Sequence, residues 1–267
     1  MRSIHLWYIF NILTILLLFF KSVNSATIVV QSGVPANNLP IRLAYISSIS
    51  NWSSAAGLAA SLGVPGYAPP HVYNYIVLTF WLYSSGPADA ALLWANPSTY
   101  FGTTSSFGST DSQIRASLKS IYSSNGIKLM VSAFGSTETP TSSGYNPVTC
   151  ATQLASYVST YGLDGVDIDW EDTAAFQSGT GEAWLITFTT TLRQLLPSAI
   201  ITHAPQAPYF GGTALYPKNA YLAVDQAVGS MIQFYNIQFY NQGSTPYNTA
   251  NLLFNSSGGW APKTSVN

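Results

Sequence analysis

Six apolar, β-rich runs recur along the chain, and the stretches between them read as helices. The runs are IRLAYISSI (41–49), YNYIVLTFWLY (73–83), GIKLMVSAFG (126–135), GLDGVDIDWE (162–171), AIITHAP (199–205) and MIQFYNIQFYN (231–241). Several are near-continuous rather than alternating, which suits strands covered on both faces. Helical stretches fall at 53–63, 111–126, 146–162, 180–198 and 217–230, with a weaker start at 245–254. Asp111 opens one and Asn125-Gly126 closes it, Pro147 sits near the start of the next, and Pro197 stops another. Strand and helix alternating in this way predict βα units and a parallel sheet. No glycine-rich phosphate loop follows the first strand, which weakens an open nucleotide-binding sheet. Length and long loops after the strands favour a closed barrel. The expected fold is therefore a TIM (β/α)8-type barrel, with only about six βα units present. Six strands are used by Asn241 and 26 residues follow it, whereas two further units need roughly 60, so a C-terminal truncation is expected. The Ser/Thr/Gly/aromatic segment at 83–111 reads as a long insertion at the strand-end face.

Composition narrows the partner. Hydrophobic residues make up 47% of the 267 residues and charged ones only 7%, against roughly 25% in ordinary globular chains. A net charge of -1 argues against nucleic acid, which needs a basic surface, and gives no handle on an anionic membrane. A neutral, polar partner fits better. At the N-terminus, Arg2 precedes an apolar core from Leu6 to Phe20, and Val23 and Ser25 stand at the -3 and -1 positions before Ala26. This is the layout of a cleaved secretory signal peptide, and the run is short for a retained anchor. The expected organisation is a signal peptide at 1–25 and a partial catalytic barrel at 26–267, secreted and extracellular, with no membrane contact after cleavage. Cys150 is the lone cysteine, read as a buried apolar residue. Asn51 and Asn255 begin glycosylation sequons.

Five of the ten acidic residues lie within nine positions: Asp164, Asp167, Asp169, Glu171 and Asp172. Alternate side chains of a strand share a face, so Asp167, Asp169 and Glu171 point one way and Val166, Ile168 and Trp170 the other, into a helix layer. Three inward carboxylates cannot all ionise without cost, so at least one proton is expected to be shared. Glu171 falls at the C-terminal strand end, where parallel barrels place their active sites, and a carboxyl kept protonated by acidic neighbours can act as a general acid. A magnesium or calcium site is the rival chemistry, but strict alternation on one strand does not converge ligands around a centre. In a purely structural reading, Asp164 and Asp172 cap turns. Only His71 and His203 follow the signal segment, and no GxSxG elbow accompanies them.

The octapeptide DGVDIDWE, Asp164 to Glu171, resembles the DGxDxDxE signature of family 18 glycoside hydrolases. SAFG (Ser132 to Gly135) is similar to that family's SxGG, with Phe134 in place of its first glycine. APQAP (204–208) and QFYNQ (238–242) resemble segments of plant class III chitinases and their fungal relatives, and the likeness runs from about 40 to 260. The resemblance implies a retaining, substrate-assisted mechanism, an exception to the two-carboxylate scheme. Glu171 is then the acid/base, Asp169 orients the sugar's acetamido group, Asp167 lies deeper and shares a proton with Asp169, and Tyr240 binds the acetamido carbonyl. Tyr235 is the alternative tyrosine, but Tyr240 is nearer the strand end. Tyr45 and Phe80 are candidate walls of the sugar subsite, and Gln206, Gln238 and Asn241 candidate partners of sugar hydroxyls. Trp81, Trp94, Tyr100 and Trp170 could stack on sugar faces or simply fill the core. The implied substrate is chitin or another N-acetylglucosamine-containing oligosaccharide, cleaved by a monomer without cofactor or metal. An endo-β-N-acetylglucosaminidase acting on N-glycans and an inactive chitin-binding relative are the alternatives.

Overall fold

The structure is a computed structural model and describes residues 41–47 and 73–254. The signal segment, the helix at 53–63, His71 and both sequon asparagines lie outside the described residues. Six parallel strands form one sheet in the order β1 (Leu43–Ile46), β2 (Tyr75–Leu82), β4 (Lys128–Phe134), β5 (Gly165–Asp169), β6 (Ile200–His203) and β7 (Phe234–Tyr235). A short β3 (Gly86–Pro87) pairs antiparallel with β2. Flat strands lie about 4.8 Å apart, which would separate β2 and β7 by roughly 19 Å across four spacings. Instead the rings of Tyr75 on β2 and Phe234 on β7 meet edge to face at 5.3 Å. The sheet is therefore curled, as expected for a TIM-barrel-type α/β fold with six βα units.

The alternation read from the sequence sets two faces. Outward residues of the strands, among them Ile76, Leu78, Val131, Val166, Ile168 and Ile201, are buried against a helix layer. That layer contains α3 (Asp111–Ser124), α4 (Pro147–Thr160), α6 (Gly181–Leu195) and α7 (Tyr221–Val228). Thr110 caps α3 by accepting the Gln113 N–H at 3.3 Å, and Asn146 caps α4 by accepting from Thr149 at 3.0 Å. Inward, Leu43, Val77, Met130 and Phe234 make a small apolar plug.

The segment at 83–111, read from the sequence as an insertion, folds into β3, α1 (Asp89–Ala95) and α2 (Ser98–Phe101). The apolar run from Ala90 to Ala95 drives this, burying Ala90, Ala91 and Trp94 in the core. The sixth strand shrinks from 231–241 to two residues. Asn236 N–H still donates to the His203 carbonyl at 2.7 Å, and Gln238 N–H to Pro205 at 2.8 Å. The bond between these two would come from the N–H of residue 205, and proline has none. Pairing resumes as a single bridge between Gln206 and Gln238.

Gly165, the glycine of the acid-rich motif, is required by close packing. A Cβ there would lie 2.1 Å from the Ile200 carbonyl oxygen and 2.7 Å from the Ile200 Cβ, backbone and strand atoms that cannot swing away. Gly165→Ala is expected to destabilise the fold by about 1–3 kcal/mol, the usual range for overpacking. Urea melts of the two proteins measure this, and an unchanged midpoint would mean that β5 and β6 sit farther apart.

Candidate active site

The acid-rich motif crosses β5 and its exit, and its residues divide by position. Asp164 precedes the strand. It accepts the Leu129 N–H at 2.7 Å and pairs with Lys119 of α3, tying the start of β5 to β4 and the helix layer. Asp172 follows the strand and caps α5 (Thr173–Ser178), accepting from Ala175 at 3.3 Å and twice from Ser142 at 2.6 Å. Both outer acids thus hold backbone: Asp172 as a cap, in line with the structural reading, and Asp164 across to β4 rather than at a turn.

Asp167 is fully buried inside the curl, where four side chains donate to it. Tyr45 from β1 and Ser132 from β4 reach Oδ2, each at 2.9 Å. Thr202 from β6 at 2.5 Å and Asn236, next after β7, at 3.1 Å reach Oδ1. Burial pushes its pKa up, and these four hydrogen bonds work against that rise. Ser132 heads the SAFG segment matched in the sequence; Thr202 and Asn236 were not singled out, and only alternation within their strands hinted that they faced inward.

Asp169, 8% exposed, is the next rung. Its pKa is driven well above the carboxylate range by burial first, then by the charges of Glu171 and Asp167, and by a hydrogen bond to Glu171. The sequence reading placed a shared proton between Asp167 and Asp169. Burial raises the pKa of both, opposed by four donors at Asp167 and reinforced by two acidic neighbours at Asp169, so the upward push is strongest at Asp169.

Glu171 lies two residues beyond β5. Gln206 donates to its Oε2 at 2.9 Å and Gln238 to its Oε1 at 3.3 Å. The same Gln238 amide reaches Asp169 Oδ1 at 2.7 Å and the Ala204 carbonyl at 2.8 Å. A cleft at the C-terminal end of the strands is lined by Tyr45, Ser47, Thr79, Phe80, Asp169, Ala204, Gln238 and Tyr240. Thr79 and Phe80 both face it because the β2–β4 register slips between Leu78 and Trp81. Phe80 also needs Gly135, where a Cβ would lie 3.0 Å from its ring.

Phe134, in place of the family's glycine, sits at φ 78°. Such a backbone costs roughly 1–2 kcal/mol in an L-residue. Burying its ring against Trp184 at 5.8 Å and Phe188 at 5.5 Å returns about 1.5–3 kcal/mol. The aromatic contact outweighs the strain.

The remaining expectations separate cleanly. Tyr240 lines the cleft, whereas Tyr235 is buried behind it and donates to Asp225 at 2.7 Å. Asn241 is exposed at φ 57° and does not line the cleft. Trp81, Trp94 and Trp170 are core residues: Trp94 donates to the Tyr161 carbonyl at 3.0 Å, and Trp170 packs on Phe176 at 4.5 Å. Tyr100 leans on Phe101 at 5.1 Å. Composition could not distinguish stacking platforms from core, and burial assigns the three tryptophans to the core. His203 is buried between Thr189 and Tyr221, and burial lowers its pKa to about 3. Cys150 is buried, its thiol pushed up to about 12 chiefly by that burial.

A curled parallel sheet with coupled carboxylates and amides at its C-terminal mouth defines a glycoside-hydrolase site. The chain belongs to glycosyl hydrolases family 18, whose sequence pattern matches residues 43–266. It is similar to the crystal structure of a GH18 chitinase from Pseudoalteromonas aurantia, with 28% identity and a TM-score of 0.57, over 78% of this chain and 71% of that one. It has the fold of a family GH18 chitinase from Chromobacterium violaceum, with 18% identity and a TM-score of 0.50, over 78% of this chain and 52% of that one. The chain thus spans about half the length of the second structure. No curated protein matches it. The protein is a chitinase-like glycoside hydrolase.

The proton on Asp169 gives a pH signature. Because the folded pKa lies above the ordinary 3.8, the native state binds the proton more tightly than the unfolded chain does. That stabilisation is complete below about pH 4 and is lost as pH rises through the folded pKa. Asp169→Asn keeps a donor and cannot ionise. Its stability relative to the unsubstituted protein should climb with pH from about 4 upward, by at most about 1.4 kcal/mol per pH unit. Urea melts across this range test it; a difference independent of pH would contradict a raised Asp169.

Proposed function

We propose that the protein is a secreted chitinase that hydrolyses internal β-1,4 linkages between N-acetylglucosamine units with retention of configuration. The observation carrying this reading is the row of Asp167, Asp169 and Glu171 along β5 and its exit, with Asp169 in the wall of a cleft also lined by Tyr45 and Tyr240. Likeness to a GH18 chitinase at 28% identity supports the substrate class. The scarcity of charge along the chain suits a neutral sugar, and the N-terminal segment supports export with cleavage before Ala26.

The chemistry follows from the proton. Transfer across the Asp169–Glu171 hydrogen bond arms Glu171 and leaves Asp169 ionised. Asp169 then accepts the acetamido N–H of the sugar, and Tyr240 donates to its carbonyl oxygen. Glu171 protonates the glycosidic oxygen as the acetamido oxygen attacks the anomeric carbon, the C–O bond to the leaving sugar breaks, and an oxazolinium forms. Glu171, now a carboxylate, takes a proton from water as the water opens that ring, which restores the acid. Asp167, held by four donors, stays in place and supplies negative charge beneath the developing cation.

Glu171→Gln retains the shape of the side chain and removes the acid. Turnover of chitin oligomers should fall by at least about 100-fold, with the melting temperature little changed. Retained turnover would assign the acid elsewhere. Product analysis on chitin oligomers beside a high-mannose glycoprotein decides the substrate: release of short N-acetylglucosamine oligomers supports chitin, and release of N-glycans alone overturns it.

A further inference from the structure

Glu171 is held at both carboxylate oxygens by amides, and one of those amides is itself held. Gln242 donates from Nε2 to Gln206 Oε1 at 3.3 Å and to the Tyr240 carbonyl at 3.1 Å. Gln206 in turn donates to Glu171 Oε2 at 2.9 Å. We propose that Gln242 is a positioning residue that fixes the orientation of the Gln206 amide and, through it, the rotamer and protonation balance of Glu171. The inference rests on the reading of Glu171 as the acid/base, and it names a residue outside the octapeptide DGVDIDWE.

An isolated glutamine amide can present either its oxygen or its nitrogen to a neighbour, and the two ends are nearly equal in size. A carboxylate only accepts, so it selects the nitrogen; a protonated carboxyl can donate and tolerates the oxygen. Gln206 alone would therefore follow the state of Glu171 by flipping, and would not hold Glu171 still. Gln242 removes that freedom by requiring an acceptor on the far side of Gln206. Its own orientation is set by a group that cannot change, the backbone carbonyl of Tyr240. The backbone around Gln206 is fixed as well, since Ala207 N–H donates to the Gln238 carbonyl at 2.8 Å and Gln238 N–H to Pro205 at 2.8 Å. The chain from Tyr240 through Gln242 and Gln206 to Glu171 thus couples the segment carrying the cleft tyrosine to the acid. The titratable groups facing Glu171 are Asp169 on β5 and Tyr209 from the turn after β6; no substitution used below alters either.

The decisive variant is Gln242→Glu. A carboxylate at 242 accepts from Gln206 Nε2 and turns the Gln206 oxygen toward Glu171, an arrangement stable only when Glu171 carries the proton. Two readouts follow. In turnover of a fluorogenic chitin trisaccharide, the acidic limb of the pH profile should move to higher pH. kcat near that limb should fall by roughly tenfold with KM little changed, and Gln242→Leu should cause a smaller loss without moving the limb. Independently of activity, the chain has only three glutamates, Glu138, Glu171 and Glu182, so NMR of carbon-labelled glutamate carboxyls follows Glu171 directly. Its titration should move upward in Gln242→Glu, and the move should vanish when Gln206→Ala is added. A Glu171 titration unchanged in Gln242→Glu, or a change that persists without Gln206, would overturn the proposal. Failure of the unsubstituted protein to cleave the trisaccharide would sink the chitinase reading while the NMR result still judges the relay.

Discussion

Everything at the mouth of the barrel depends on one buried carboxylate. Asp167 receives hydrogen bonds from β1, β4, β6 and the residue after β7, so four separate parts of the curled sheet converge on it. A hydrogen bond to a charged group contributes about 1.5–3 kcal/mol, and a buried carboxylate without partners would be prohibitively costly. The same contacts that make Asp167 tolerable therefore draw the strands into a curve around it. Below it lies the apolar plug of Leu43, Val77, Met130 and Phe234; above it lies the cleft. Asp167 marks the level at which the interior changes from packing to chemistry.

The rungs above it resolve like-charge repulsion differently. Asp167 is satisfied by neutral donors and needs no proton. Asp169 has one strong amide donor, Gln238, and two acidic neighbours, so holding a proton is its cheaper state. Glu171, past the strand, is bound by two amides. Crowding therefore raises the pKa most at Asp169, which borders the cleft, while Asp164 and Asp172 spend their charge on backbone N–H groups.

Much of this was legible in the sequence because period-two alternation is strict along DGVDIDWE. The split between inward Asp167 and Asp169 and outward Val166, Ile168 and Trp170 follows from it, as do the helix ends marked by Pro147 and Asn125-Gly126. The choice of Tyr240 over Tyr235 rested on distance along the strand, and it matches the cleft lining. What alternation could not show was pairing across strands. Which side chains donate to Asp167 depends on that pairing, and Thr202 and Asn236 are unremarkable residues until the curl assembles them. The short β7 turned on a single missing N–H at Pro205. Apolar periodicity in 90–95 was masked by the Ser- and Gly-rich sequence on either side, so the insertion was read without its packed helix.

The scarcity of charge, which first excluded charged partners, bears on the acid itself. Every group that orients Glu171 is neutral: the amides of Gln206 and Gln238, with Gln242 behind the first. A lysine or arginine in their place would bind the carboxylate more strongly, but an adjacent cation lowers a carboxyl pKa by roughly 1–3 units. That would remove the proton that the acid role proposed for Glu171 requires. Among the described residues the one ion pair, Lys119 with Asp164, lies at the opposite end of β5, where the strand begins. Amides position without dictating ionisation, but they can also flip, and a neutral cradle therefore needs its own orientation fixed. Keeping the paired cation at the far end of the strand and using linked amides at the near end satisfies both demands.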